Sequence, residues 1–104
     1  MPNPGSLVSV DVIALRYNPD LRRVEMATKP RTTEPFLGKP ALPGVLLQEG
    51  ERLAAAAHRA VTTKVGFDVS ALGQLTVFDQ PNRDPRGYSL SVAMWAVGDG
   101  GVAP

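Results

Sequence analysis

The residues of this chain that could do chemistry are mostly charged and fall in two short stretches. Between Leu42 and Phe67 lie Glu49, Glu51, His58, Arg59 and Lys64. Between Asp79 and Gly87, Arg83 and Arg86 flank Asp84-Pro85. Guanidinium forks match phosphate oxygens, so both arginines are candidates to face a phosphate or ribose; an ordinary turn between strands is the plainer alternative. Lys64 sits near a helix end, where the helix dipole favours a cation. His58 is the single histidine, and one imidazole with no serine or cysteine constellation is weak ground for nucleophilic catalysis. It is expected to be exposed on the helix. Phe36, in a proline-rich segment, is the aromatic best placed to stack on a base. Trp95 is read as core or interface, with base stacking as the alternative.

Composition narrows the classes. A length of 104 residues suits one domain. There is no cysteine, which excludes disulfides and thiolate metal sites. A net charge of +1 gives no sign of a general nucleic-acid or membrane-surface protein, so neither partner is expected. No apolar run is long enough to span a bilayer. Residues 1–6 lack the basic and apolar regions of a signal peptide, so a cytoplasmic location is expected.

Periodicity places these residues on elements. Residues 1–6 hold two prolines and a glycine and read as a flexible lead. Leu7 to Leu15 reads as a strand, with Val8, Val10 and Val12 alternating with Ser9, Asp11 and Ile13. Tyr17-Asn-Pro-Asp20 has turn chemistry, and Val24 to Thr28 returns as a second strand. Residues 29–41, with Pro30, Pro35, Pro40 and Gly38, read as a loop. Leu46-Leu47 reads as a short strand. A helix is predicted from about Gly50-Glu51 to Val65, rich in alanine, with Leu53, Ala57 and Val61 as its buried stripe and Gly66 as its stop. Strands follow over Leu72–Phe78 and Tyr88–Val97, the last with Leu90, Val92, Met94 and Ala96 on one face. The body of the domain is residues 7–97, and residues 98–104 read as a flexible tail.

The stretch from Leu42 to Phe67 resembles the Nudix box, G-x5-E-x7-R-E-U-x-E-E-x-G-U with U aliphatic. Glu51 falls on the first glutamate, Arg59 on the arginine, Val61 on an aliphatic, and Gly66-Phe67 on the closing pair. Val45 stands at the opening glycine. The likeness extends to Val8–Leu15, to Ala41-Leu-Pro-Gly44, and to Leu72–Phe78 with the Asp84-Pro85-Arg86-Gly87 loop. Over residues 7 to 97 it is similar to the branch holding ADP-ribose pyrophosphatases and the ligand domains of NAD-linked regulators. The resemblance implies an α/β fold: a mixed β-sheet with the box helix on one face and the usual C-terminal helix missing. Without that helix one sheet face would be uncovered, so self-association or a protein partner there is expected.

The resemblance also implies which residues should do chemistry, and here the chain departs from it. Three box glutamates that would gather divalent cations read Ala60, Thr63 and Lys64, spaced to share one helix face. Mg²⁺ requires oxygen ligands; alanine supplies none, threonine one neutral hydroxyl, and lysine repels the ion. No catalytic residue and no cofactor are expected, with Mg²⁺ entering only through a rebuilt site at Glu49 and Glu51, with Glu34 near in sequence. Arg59, its partner at position 60 gone, is expected to pair with Glu51 or Glu49 and pin the loop to the helix. Glu51, Arg59 and Gly66 would thus be the structural part of the box. A ligand site would draw on Arg59, Lys64, Arg83, Arg86 and Phe36, with Lys64 neutralising a phosphate in place of the metal. The expected function is a catalytically inactive Nudix-like protein that binds an ADP-ribose-like nucleotide diphosphate or acts through protein contacts. The rivals are a homodimeric or heteromeric interaction module without ligand and a divergent pyrophosphohydrolase. A winged-helix regulator is excluded for this chain alone, because no DNA-binding segment follows.

Overall fold

The computed structural model describes residues 7–34, 36–79 and 89–98. The elements run β1 (Leu7–Asn18), β2 (Arg23–Ala27), β3 (Lys29–Pro30), β4 (Pro40–Ala41), β5 (Gly44–Leu46), α1 (Leu53–Lys64), β6 (Val69–Phe78) and β7 (Ser89–Gly98). Five strands form one mixed sheet in the order β2-β1-β7-β6, with β5 also on β1. β1 is long enough to serve two neighbours on one edge: Ser9–Asp11 pair with β5 and Ala14–Asn18 with β2, both antiparallel. Its other edge pairs with β7 in parallel, from Leu7↔Ser89 to Leu15↔Val97.

Alternation along the strands fixes which face is dry. Val10, Val12 and Ala14 of β1, with Val92, Met94 and Ala96 of β7, point to the face covered by α1 and are at most 5% exposed. The helix meets them with Ala56, Ala57, Ala60 and Val61, all fully buried. Three of these four are alanines, so the helix backbone can lie close to the sheet. Leu53, expected in the stripe, is only half-buried, and Ala60 replaces it as a core residue. This follows from helical spacing: positions 56, 57, 60 and 61 form one i, i+1, i+4, i+5 patch.

Boundaries differ from expectation where side chains compete with the backbone. β1 runs on through Tyr17 and Asn18. The turn begins after them, with the Asn18 carboxamide oxygen accepting from the Asp20 and Leu21 amides at 3.0 and 3.1 Å. The helix starts at Leu53 rather than Glu51, with Arg52 as an N-cap that makes no side-chain bond. At its other end Gly66 takes φ +78° and donates to the Val61 carbonyl, a left-handed stop that suits glycine. Residues 29–41 are not a plain loop. Lys29↔Ala41 and Pro30↔Pro40 pair as a two-stranded ribbon, continued by bonds from Arg31 N–H to Lys39 and from Gly38 N–H to Arg31.

The opposite sheet face carries no helix among the described residues. Tyr17, Val24 and Met26 on it are about half exposed or more, at 47%, 64% and 52%. Trp95 lies on the same face across Gly73, where an added Cβ would come within 2.8 Å of the indole.

Candidate functional site

The site is organised by one ion pair. Arg59, in the middle of α1, donates through Nε to one oxygen of Glu51 at 3.0 Å and through a terminal nitrogen to the other at 2.9 Å. The same nitrogen also reaches the Leu46 carbonyl at 2.9 Å. Glu51 accepts in addition from the Gln48 amide at 3.0 Å. The planar fork thus ties β5, the turn after it and the helix into one unit. The Arg59 hydrogen bonds, and next the Gln48 amide, hold the Glu51 carboxyl below its ordinary value; Glu51 raises Arg59 in return.

The three positions where the resemblance puts metal-binding glutamates have separate environments. Ala60 is fully buried in the core between helix and sheet. Thr63 is exposed and donates its hydroxyl to the Arg59 carbonyl at 2.6 Å. Lys64 is exposed at the last turn of α1. The residues therefore do not fit a divalent cation held as in Nudix enzymes. One position has no ligand and faces the core, one has its hydroxyl proton engaged with the backbone, and one carries a positive charge. Glu51, the carboxylate nearest in pattern, is occupied by Arg59 and Gln48. Among the described residues no group of three His, Asp or Glu side chains is placed to hold a metal.

Lys64 does, however, line a cavity of about 190 Å³. Its other walls are the β3–β4 ribbon, through Lys29, Arg31, Thr32 and Thr33, and the segment leading into β5, through Gly44. Among the described residues the lining holds three cationic side chains and two hydroxyls and no carboxylate. That combination suits an anion with several oxygens.

The other predicted residues are scattered. Arg59 is spent on Glu51 and does not line the cavity. Phe36 is 70% exposed on the ribbon turn with φ +65°, also outside it. Glu34 accepts from the Leu37 amide within that turn, and Glu49 is exposed. His58 is exposed on α1 and Trp95 half-buried on the open sheet face. Arg83 and Arg86 lie outside the described residues. Lys29 and Arg31 were missed because residues 29–41 read as a loop. The alternation of the ribbon is too short to see, but three prolines interspersed with Lys29, Arg31 and Lys39 were the available signal.

No protein-family model matches the chain. Two curated relatives do. The ADPR responsive transcriptional repressor NtrR of Acinetobacter baylyi is 32% identical over 96 residues, 90% of this chain and 38% of its own length. The ADP-ribose pyrophosphatase of Methanocaldococcus jannaschii is 36% identical over 62 residues, 60% of this chain and 37% of its own length. The chain thus spans less than two-fifths of the curated relatives it matches. Among solved structures, the Nudix domain of Shewanella oneidensis NrtR complexed with ADP ribose superposes with a TM-score of 0.76 at 27% identity, over 90% of this chain and 61% of that one. With these likenesses, the box frame around Glu51 and Arg59, and the mixed sheet with one helix, the chain belongs to the Nudix superfamily. Its similarity lies with the branch that includes ADP-ribose pyrophosphatases and ADP-ribose-responsive regulators.

One expectation needs correcting. Near-neutral charge gives the expectation of no nucleic-acid partner. The Acinetobacter baylyi relative is a transcriptional repressor. Shewanella oneidensis NrtR complexed with a 27mer DNA superposes with a TM-score of 0.71 at 27% identity, over 86% of this chain and 41% of that one. The exclusion of nucleic acid is overturned. The charge of one domain reports on that domain's surface and not on what a larger protein containing such a domain can contact. For the membrane, no helix among the described residues is long and apolar enough to cross one.

Proposed function

We propose that this protein is a Nudix-like binding domain for a nucleotide diphosphate of the ADP-ribose type, without pyrophosphohydrolase activity. One observation carries the reading: the positions of the family's metal-binding glutamates hold a core alanine, a backbone-bonded threonine and a lysine that lines a cavity with no carboxylate among its described residues. Hydrolysis of a pyrophosphate in this family rests on cations that polarise phosphorus and help activate water, and these residues give such cations no seat. Binding needs only charge and shape, and both remain. The superposed Nudix domain complexed with ADP ribose and the ADP-ribose-responsive repressor support this ligand class and a sensing role in which DNA contact belongs to the whole protein.

The test is incubation with ADP-ribose and Mg²⁺, followed by chromatography of the nucleotides alongside NMR mapping of the ligand. The expected result is unchanged ADP-ribose with shifts at Lys29, Gly44 and Lys64. Release of AMP would contradict it and return the protein to the hydrolases.

A second reading, action through protein contacts, is favoured by the exposed apolar side chains of Tyr17, Val24 and Met26 on the sheet face opposite α1. Light scattering that gives a monomer over a wide concentration range would count against self-association.

A further inference from the structure

We infer that Lys29 and Lys64 form a built-in counter-charge that takes the place of the metal, so that the cavity selects the metal-free diphosphate and Mg²⁺ opposes binding. The inference deepens the reading just given and rests on it for the nucleotide part alone. The cations come from two separate elements. Lys64 ends α1, while Lys29 stands on the β3–β4 ribbon, whose pairing and Arg31–Lys39 and Gly38–Arg31 backbone bonds fix its shape. A diphosphate between them would be gripped from both sides. Thr32 and Thr33 add hydroxyl donors on the same wall.

The sign of the Mg²⁺ effect follows from charge. In a metal-dependent site, carboxylates on the protein and oxygens on the diphosphate share one cation. Here Lys64 stands where one of those carboxylates would be, and Lys29 lines the same cavity. A diphosphate that arrives with Mg²⁺ brings a reduced negative charge and a divalent ion towards two lysines, and among the described residues no carboxylate lines that wall to complete the coordination shell. Metal-free ligand meets none of these penalties.

Calorimetry on the whole protein tests this with two probes, inorganic pyrophosphate and ADP-ribose, at constant ionic strength with KCl exchanged for MgCl₂. Holding ionic strength constant removes the general screening effect. Affinity for both probes is expected to fall as Mg²⁺ rises. K29Q and K64Q should each weaken binding by about tenfold or more, the scale of a lost charge-assisted hydrogen bond. R22Q, on the exposed β1–β2 turn away from the cavity, should leave affinity unchanged and so separates the cavity from bulk charge. Binding strengthened by Mg²⁺, or indifferent to both lysines, overturns the inference while leaving nucleotide binding standing. Pyrophosphate binding that Mg²⁺ opposes, with no binding of ADP-ribose, upholds the inference and removes the nucleotide reading. Absence of binding by either probe overturns both.

Discussion

Arg59 grips both carboxylate oxygens of Glu51 while the same guanidinium holds the Leu46 carbonyl. The pair is the surviving half of the Nudix box, and it does mechanical work: it fixes the path from β5 into α1. Arg59→Lys keeps the charge and loses the fork, so it should loosen that path nearly as much as Arg59→Ala. Hydrogen exchange at Gln48 and Glu51 is expected to speed up in both variants, with Tm lowered by a few degrees. Protection unchanged in Arg59→Lys would show that charge alone suffices.

Acid should release the same connection. Glu51 is held below its ordinary value of 4.5, chiefly by Arg59 and then by the Gln48 amide. A carboxyl whose folded pKa is depressed contributes stability that is present above its unfolded pKa and lost as pH falls through the folded one. The stability difference between the protein and Glu51→Gln should therefore be full near neutrality and shrink as pH drops below about the ordinary carboxylate value. Denaturant melts at a series of pH values read it directly; a difference that persists into strong acid would remove the ion pair from the account.

Ala60 marks the limit of restoring a metal site. Placing a carboxylate at a fully buried position costs roughly 2–7 kcal/mol for an uncompensated polar group. Ala60→Glu should thus destabilise the fold clearly, while Thr63→Glu, at an exposed position, should change stability little. Urea unfolding compares the two. An Ala60→Glu variant as stable as the parent would mean that position 60 opens to solvent or to a cation.

Gly73 and Trp95 give an optical test of the open sheet face. A Cβ at position 73 would sit 2.8 Å from the indole, so Gly73→Ala must displace Trp95, at about 1–3 kcal/mol for overpacking. Trp95 is the single tryptophan, so its emission maximum should shift in this variant and not in the conservative Val97→Ile. An unshifted spectrum would place the ring elsewhere.

Much of the fold was legible because its elements advertise their period. Val8, Val10 and Val12, and Leu90, Val92, Met94 and Ala96, alternate cleanly, and the alanine-rich helix ends at a glycine that takes positive φ. What escaped was tertiary. Nothing local says that Ala60 turns into the core, since alanine fits either face of a helix. The two-residue strands of the β3–β4 ribbon carry no readable alternation, so the cavity they complete with Lys64 could not be foreseen. The exclusion of nucleic acid failed for another reason: charge balance is a property of this stretch of chain, and the two regulators it resembles are more than twice as long.

The most direct test of the central claim is titration of ADP-ribose into the protein without divalent metal, repeated with Lys64→Gln. The account predicts saturable one-to-one binding that weakens by about tenfold or more in the variant. No binding to the parent, or equal binding to both proteins, would contradict it.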